Sequence, residues 1–297
     1  MNLIEVARMT EDQARAYLES IRWPDGPICL HCGSKNVSHL EGKKHRKGVI
    51  QCNDCDQQFS VTVNSIMESS HIPLNKWVLA FHLMCSSKKG ISALQLQREL
   101  GLGSYRTAWF MCHRIRHAMD HGPMAEMLKG TVEVDETYVG GKSRKGIRGR
   151  GSERKTPVVA LMERGGRVRS KPVERIDAKT LKGEIRKHVD PNSMIMTDEL
   201  PSYRGIGKEF AGGHQVVSHS AGEYSRGEVH VNTDESYFAL LKRGHYGIFH
   251  SFSKYHLHRY CHEFDFRWNS RDANDADRTA LAIRQMSGKR LMYQKPR

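Results

Sequence analysis

The chain has 297 residues, enough for a sizeable core and two domains, and its 47 Lys and Arg against 33 Asp and Glu give a formal net charge of +14. This excess favours a polyanionic partner, most often a nucleic acid, although a solvated basic surface would have the same composition. The first residues lack a signal-peptide pattern, and the most apolar stretch, residues 77–84, is too short to span a bilayer. We therefore expect a cytoplasmic protein with no membrane partner.

The N-terminal part, residues 1–70, combines a helix with four cysteines at metal-ligand spacing. Thr10 and Gln13 form a capping-box pattern ahead of helically spaced residues. The cysteines form two CxxC pairs separated by 19 residues: Cys29, Cys32, Cys52 and Cys55. This spacing predicts a zinc ribbon in which four thiolates hold one structural Zn²⁺.

Residues 71–125 predict a helical segment resembling a helix-turn-helix. A helix is expected from Pro73, and Ile91–Leu100 and Ser104–Ala118 form two further helices around a glycine turn. Arg106 and Arg114 in the last helix are candidate DNA contacts. An ordinary helical hairpin is the alternative, and the pattern does not decide between the two.

Residues 130–270 predict an α+β domain with a mixed sheet flanked by helices. Three strands joined by hairpins are followed by a helix, a strand, a further strand and more helices: 131–139, 156–163, 167–176, 178–189, 193–198, 214–218, 234–242 and 253–268. This order is that of an RNase H-like fold, although the spacing alone allows other α+β arrangements. A helix and a basic tail, residues 271–297, complete the chain.

Three carboxylates fall where such a sheet would bring them together. Asp135 lies within the first strand, Asp198 ends the fourth, and Glu235 opens the helix after the fifth. The first and fourth strands are neighbours in an RNase H-like sheet, so these acids could hold two Mg²⁺ (or Mn²⁺) ions for phosphoryl transfer. The alternatives are a capping acid at Asp198 and a helix-dipole acid at Glu235.

Basic residues accompany this predicted site. Lys242 lies two helical turns after Glu235 and is a candidate phosphate contact, with an ordinary surface lysine as the alternative. The basic loop 142–155 is either a solvated linker or a clamp that becomes ordered on DNA.

The segments VEVDETYVGGK, TDE and HVNTDESYFALLKRGHYGIFHSFSKYHLHRYCHEFDFRWNSR resemble the 1595-type family of bacterial insertion-sequence transposases. The resemblance implies an N-terminal zinc ribbon and an RNase H-like DDE domain in which Asp135, Asp198 and Glu235 are the catalytic acids. Some members use Asn at the position of Asn232, which makes that residue an alternative third ligand. Lys142, after the double glycine, and Arg243, beside Lys242, are further candidate DNA contacts.

The resemblance implies a function in DNA transposition. The protein would bind terminal inverted repeats, nick the ends and transfer the strands into target DNA, as a homodimer or larger synaptic complex on the bacterial nucleoid. Two alternatives remain: a zinc-ribbon DNA-binding protein without catalysis, and a host RNase H-like nuclease.

Overall fold

A computed structural model describes residues 1–42, 44–120, 126–141, 154–218 and 231–293, apart from the side chain of Asn232. The chain forms two compact units: a first unit of Met1–Asp120 with Asp272–Arg297, and a second unit of His121–Arg271. Among the described residues, none of the helices combines the length and apolar character needed to cross a membrane.

The first unit opens with two short helices and a small antiparallel sheet. The elements are α1 (Leu3–Ala7), α2 (Glu11–Arg22), β1 (Val37–His39), β2 (Ile50–Cys52) and β3 (Gln58–Phe59), with β2 in the middle of the sheet. The capping box is present, because Thr10 and Gln13 each accept a hydrogen bond from the other's backbone N–H. Strand β3 ends at Phe59, and beyond it the guanidinium of Arg22 donates to the carbonyl groups of Val61 and Val63.

Four further helices complete the first unit: α3 (Leu74–Ser86), α4 (Ala93–Leu100), α5 (Tyr105–Ala118) and α9 (Asp275–Arg284). Helix α4 ends at Gly101 in the left-handed conformation, and Ser104 caps α5 by accepting from the backbone N–H of Thr107 at 3.1 Å. The helix–glycine turn–helix is therefore present as predicted. Helix α9 packs against α3, where Arg278 donates to the carbonyl of Cys85 at 3.1 Å.

The second unit contains a five-stranded mixed sheet. Its strands are β4 (Thr131–Gly140), β5 (Lys155–Glu163), β6 (Val168–Pro172), β7 (Met194–Asp198) and β8 (His214–Val217), in the order β6-β5-β4-β7-β8. The first three strands run antiparallel, and β7 is parallel to both β4 and β8. The RNase H-like arrangement expected from the order of elements is confirmed.

Helices cover both faces of this sheet. Alternate residues of β4 contribute to the hydrophobic core on each face. Helix α6 (Ala178–His188) packs with Val132 and Val134 on one face. Helices α7 (Asn232–Gly244) and α8 (Leu257–Asn269) pack with Val139 on the other face, through buried residues that include Tyr237 and Phe264. Successive strand residues point to opposite faces, so Glu133 and Asp135 lie on the same face as Val139, towards α7.

Candidate metal centres

The four cysteines of the ribbon converge on one point. Their sulfur atoms all lie within 4.8 Å of one another. The Sγ atoms of Cys29 and Cys55 are 3.7 Å apart, and those of Cys32 and Cys52 are 3.5 Å apart. Four Zn–S bonds of about 2.3 Å in a tetrahedron place the sulfurs about 3.8 Å apart, whereas a disulfide needs about 2.05 Å. The donor set therefore fits one structural Zn²⁺ with no open coordination position.

Hydrogen bonds favour the ionised form of one of these thiols, that of Cys29. The N–H of His31 donates to Cys29 Sγ at 3.4 Å. Burial opposes ionisation of the Cys29 thiol, but hydrogen bonds from the backbone N–H groups of Cys32 and His31 and from the thiols of Cys32 and Cys55 outweigh it and lower its pKa to about 6. The same thiol–thiol hydrogen bonds contribute to raising the pKa values of Cys32 and Cys55, so Cys29 is the thiolate that forms first. Because zinc binds the thiolate, a lowered thiol pKa favours metal binding near neutral pH.

A second cluster lies where β4 and β7 run side by side. Their parallel register pairs Glu133 with Met196 and Val134 with Thr197. One further step along this register sets Asp135 opposite Asp198, on strands about 4.8 Å apart. The proximity of these two acids, expected from the order of strands, follows from this pairing.

Glu235 lies in the first turn of α7, and Thr233, two residues earlier on the same helix, is bound to β4. The backbone N–H and the hydroxyl of Thr233 donate to the carboxylate of Glu133 at 3.1 and 3.0 Å. The same carboxylate, which is 0% exposed, forms an ion pair with Arg164 at 2.8 Å. We call these three residues the Glu133 clamp; it joins the strand that carries Asp135 to the helix that carries Glu235.

The helix α7 is fixed at a second point. The hydroxyl of Tyr237 donates to Asp265 of α8 at 2.6 Å, and the same carboxylate accepts from the backbone N–H and hydroxyl of Ser170 in β6 at 2.8 and 2.7 Å. This buried network and the Glu133 clamp were not predicted. Alternation in β4 does place Glu133 beside Asp135, but its partners come from distant parts of the chain.

The electrostatics of Asp135 reflect this crowding of acids. Burial raises its pKa to about 7, and the charges of Glu136, Asp198 and Glu235 act in the same direction, against a hydrogen bond from the backbone N–H of Glu136. A nearby cation would reverse this penalty, because it favours the ionised carboxylate. The cluster is therefore suited to a divalent cation with oxygen ligands.

Asp135, Asp198 and Glu235 are spread more widely than the cysteines. In the part of the chain that the structure describes, the cysteine group is the one set of three or more possible ligands lying within 4.8 Å of one another. Two ions in a phosphoryl-transfer site are about 3.5–4 Å apart, so their ligands span a larger space than those of one zinc ion.

The predicted DNA contacts differ in their surroundings. Arg106, Lys242 and Arg243 are exposed. Arg114 is only 8% exposed and donates to the carbonyl of Glu68 at 3.1 Å. This placement favours a structural role, in which Arg114 holds α5 to the segment around Glu68, over contact with a DNA phosphate. Lys142 and the side chain of Asn232 lie outside the described residues.

The chain thus combines a four-cysteine ribbon with an RNase H-like sheet that carries Asp135 within β4 and Asp198 at the end of the adjacent strand β7. Residues 127–269 match the model of the ISXO2-like transposase domain, and residues 9–58 match that of the transposase zinc-ribbon domain. A Halobacterium salinarum protein, described as an uncharacterized protein in transposable element ISH50, is 30% identical over 277 residues, which are 87% of this chain and 91% of that protein.

The chain thus belongs to the 1595-type family of insertion-sequence transposases. This match confirms the expected family. The protein is therefore a transposase whose N-terminal ribbon is a structural zinc site. DNA is the partner that both domains imply.

Proposed function

We propose that this transposase binds the terminal inverted repeats of an insertion sequence, nicks the ends to free 3′-hydroxyl groups, and joins them to target DNA in a Mg²⁺-dependent reaction. Asp135, Asp198 and Glu235 are the proposed catalytic acids. The observation that carries this proposal is the parallel pairing of β4 with β7, which sets Asp135 beside Asp198 near the first turn of α7.

The residues fit a pair of divalent cations. Carboxylate oxygens are the ligands that Mg²⁺ and Mn²⁺ prefer. Two such ions would supply activation of the attacking hydroxyl and neutralisation of the leaving oxygen. Asp135 and Asp198 would hold them from the sheet and Glu235 from the helix, while the Glu133 clamp fixes the strand and the helix relative to each other.

Basic residues on exposed surfaces support DNA binding in both units. Lys242 and Arg243 follow Glu235 on α7, and Arg106 lies in the first turn of α5. Each contact of this kind neutralises a phosphate and releases counterions, so binding should weaken steeply with salt. We assign end recognition to residues 1–70, a linking or DNA-reading role to residues 71–125, and catalysis to residues 130–270.

Joining two ends of one element requires both ends in a single complex, so we propose a homodimer or larger synaptic assembly. The site of action would be the cytoplasm, where chromosomal DNA is accessible.

A strand-transfer assay with cognate terminal repeats, target DNA and Mg²⁺ tests the proposal. We expect Asp135→Asn to abolish joining while retaining end binding, because the amide keeps the shape of the side chain but weakens metal binding. Glu174→Gln, at an exposed acid of the same unit, is the matched control and should join normally. Joining by Asp135→Asn at the wild-type rate would overturn the catalytic assignment.

The same assay separates the two alternatives. A DNA-binding protein without catalysis would bind ends without Mg²⁺ and never cleave them. A host nuclease would cleave branched or hybrid substrates without joining strands.

A further inference from the structure

Asp234, next to Glu235, is a buried acid that the proposed catalytic set does not include. Its side chain is 0% exposed, and neither carboxylate oxygen has a hydrogen-bond partner among the described residues. A buried polar group normally has such a partner, because leaving it unpaired costs stability. Asp234 therefore requires a partner of another kind.

The helical position of Asp234 directs it to the sheet. Residues three, four and seven positions later, Tyr237, Phe238 and Leu241, are buried in the core between α7 and the sheet. Residues at these spacings share a helix face. Asp234 thus continues this face into the first turn of α7.

Strand β4, which α7 covers, carries two acids, Glu133 and Asp135, on the face towards this helix. Thr233, immediately before Asp234, binds Glu133 through both its backbone N–H and its hydroxyl. Asp135 lies on the same face of β4, and Asp135 and Glu133 are the charges whose repulsion reaches Asp234. Glu133 has Arg164 as a cationic partner. Asp135 and Asp234 are therefore two carboxylates on the facing sides of β4 and α7, close enough for their charges to interact.

We propose that Asp234 is an additional carboxylate ligand of a divalent cation that Asp135 also binds, so that two successive acids of α7 serve the metal site. Asp234 approaches from the buried side of the helix, and Glu235, which is exposed, approaches from its open side. A shared cation gives Asp234 the partner that its surroundings lack. This inference depends on the proposed function, because it assumes a divalent metal site at Asp135.

Calorimetric titration of the full-length, zinc-loaded protein with Mn²⁺ tests the inference. We expect Asp234→Ala and Asp234→Asn each to weaken Mn²⁺ binding about tenfold, the effect of losing one charged ligand from a site that keeps the others. Asp275→Ala removes an exposed first-turn acid of α9 and should bind Mn²⁺ as the wild type does. Wild-type affinity in both Asp234 variants would overturn the inference.

Thermal unfolding separates metal binding from a purely structural role. If Asp234 is a ligand, Asp234→Ala without divalent ions is at least as stable as the wild type, because a buried carboxyl without a partner is gone. Its stabilisation by added Mn²⁺ is then smaller than that of the wild type. A large loss of stability without metal, together with a normal Mn²⁺ response, would show a structural role and overturn the inference.

Asp135→Asn distinguishes failure of this inference from failure of the proposed function. If Asp135→Asn loses Mn²⁺ binding and the Asp234 variants keep it, only the role of Asp234 is wrong. If Asp135→Asn also binds Mn²⁺ normally, the metal site itself is wrong, and the inference is overturned with it.

Discussion

The Glu133 clamp should control how firmly α7 is held on the sheet, and Glu133→Gln tests this. The substitution keeps the size of the side chain but removes the charge that pairs with Arg164 at 2.8 Å and accepts from Thr233 at 3.1 and 3.0 Å. Hydrogen bonds to charged groups contribute about 1.5–3 kcal/mol each, and one glutamine oxygen can replace only part of them. We expect a local loss of about 2–3 kcal/mol.

Hydrogen–deuterium exchange of peptides from β4 and α7 measures this loss directly. A local destabilisation of about 2–3 kcal/mol corresponds to exchange that is about 30–140-fold faster, since about 1.4 kcal/mol is a factor of ten. Thr233→Val removes only the hydroxyl contact with this carboxylate and should cost about 1.5 kcal/mol, the lower end of the range for one hydrogen bond to a charged group. Glu163→Gln on β5, where the carboxylate is 3.6 Å from Arg167, is the matched control and should leave α7 unchanged. Unchanged protection of α7 in Glu133→Gln would refute the clamp.

Three further predictions concern zinc, pH and DNA. Cys52→Ser removes a buried zinc ligand, so metal analysis should show a reduced zinc content. A DNA-binding assay should show weaker recognition of the element ends. Full zinc occupancy in a folded variant would contradict the ribbon assignment. Burial raises the pKa of Asp135 from 3.8 to about 7, so without divalent ions the folded state binds more protons than the unfolded state between these values. The free energy of unfolding should therefore fall by on the order of 2–4 kcal/mol as pH rises from about 4 to about 7. Urea titrations should show this pH dependence in the wild type and not in Asp135→Asn, and the same dependence in both proteins would contradict the assignment to Asp135. Arg106→Ala should weaken DNA binding and reduce its salt dependence, whereas Arg114→Ala should mainly lower thermal stability. If Arg114→Ala instead weakened DNA binding and Arg106→Ala lowered the melting temperature, the two assignments would be reversed.

Local patterns in the sequence predicted most of the sheet and its two acids. Alternation in β4 assigned Asp135 to one face, and the order of strands predicted β7 as the neighbour that carries Asp198. Cysteine spacing predicted the ribbon because four soft ligands at two CxxC pairs have few other structural uses. In these cases the information lies within short segments or in the order of elements.

Long-range docking was not predictable from such patterns. Arg278 contacts Cys85 across 193 positions, and Thr233 contacts Glu133 across 100 positions. Arg114 has the spacing of a possible DNA contact, but its long aliphatic stem allows it to pack inside the helical unit. Which face of a helix meets which partner depends on tertiary packing, and this decides whether an arginine binds a carbonyl or a phosphate.

Anomalous diffraction from crystals soaked with Mn²⁺ in the presence of a terminal-repeat duplex tests the central claim most directly. We expect manganese peaks within about 2.0–2.3 Å of carboxylate oxygens of Asp135 and Asp198, with Glu235 as a further ligand. Manganese bound elsewhere in the crystal, with none at these carboxylates, would contradict it.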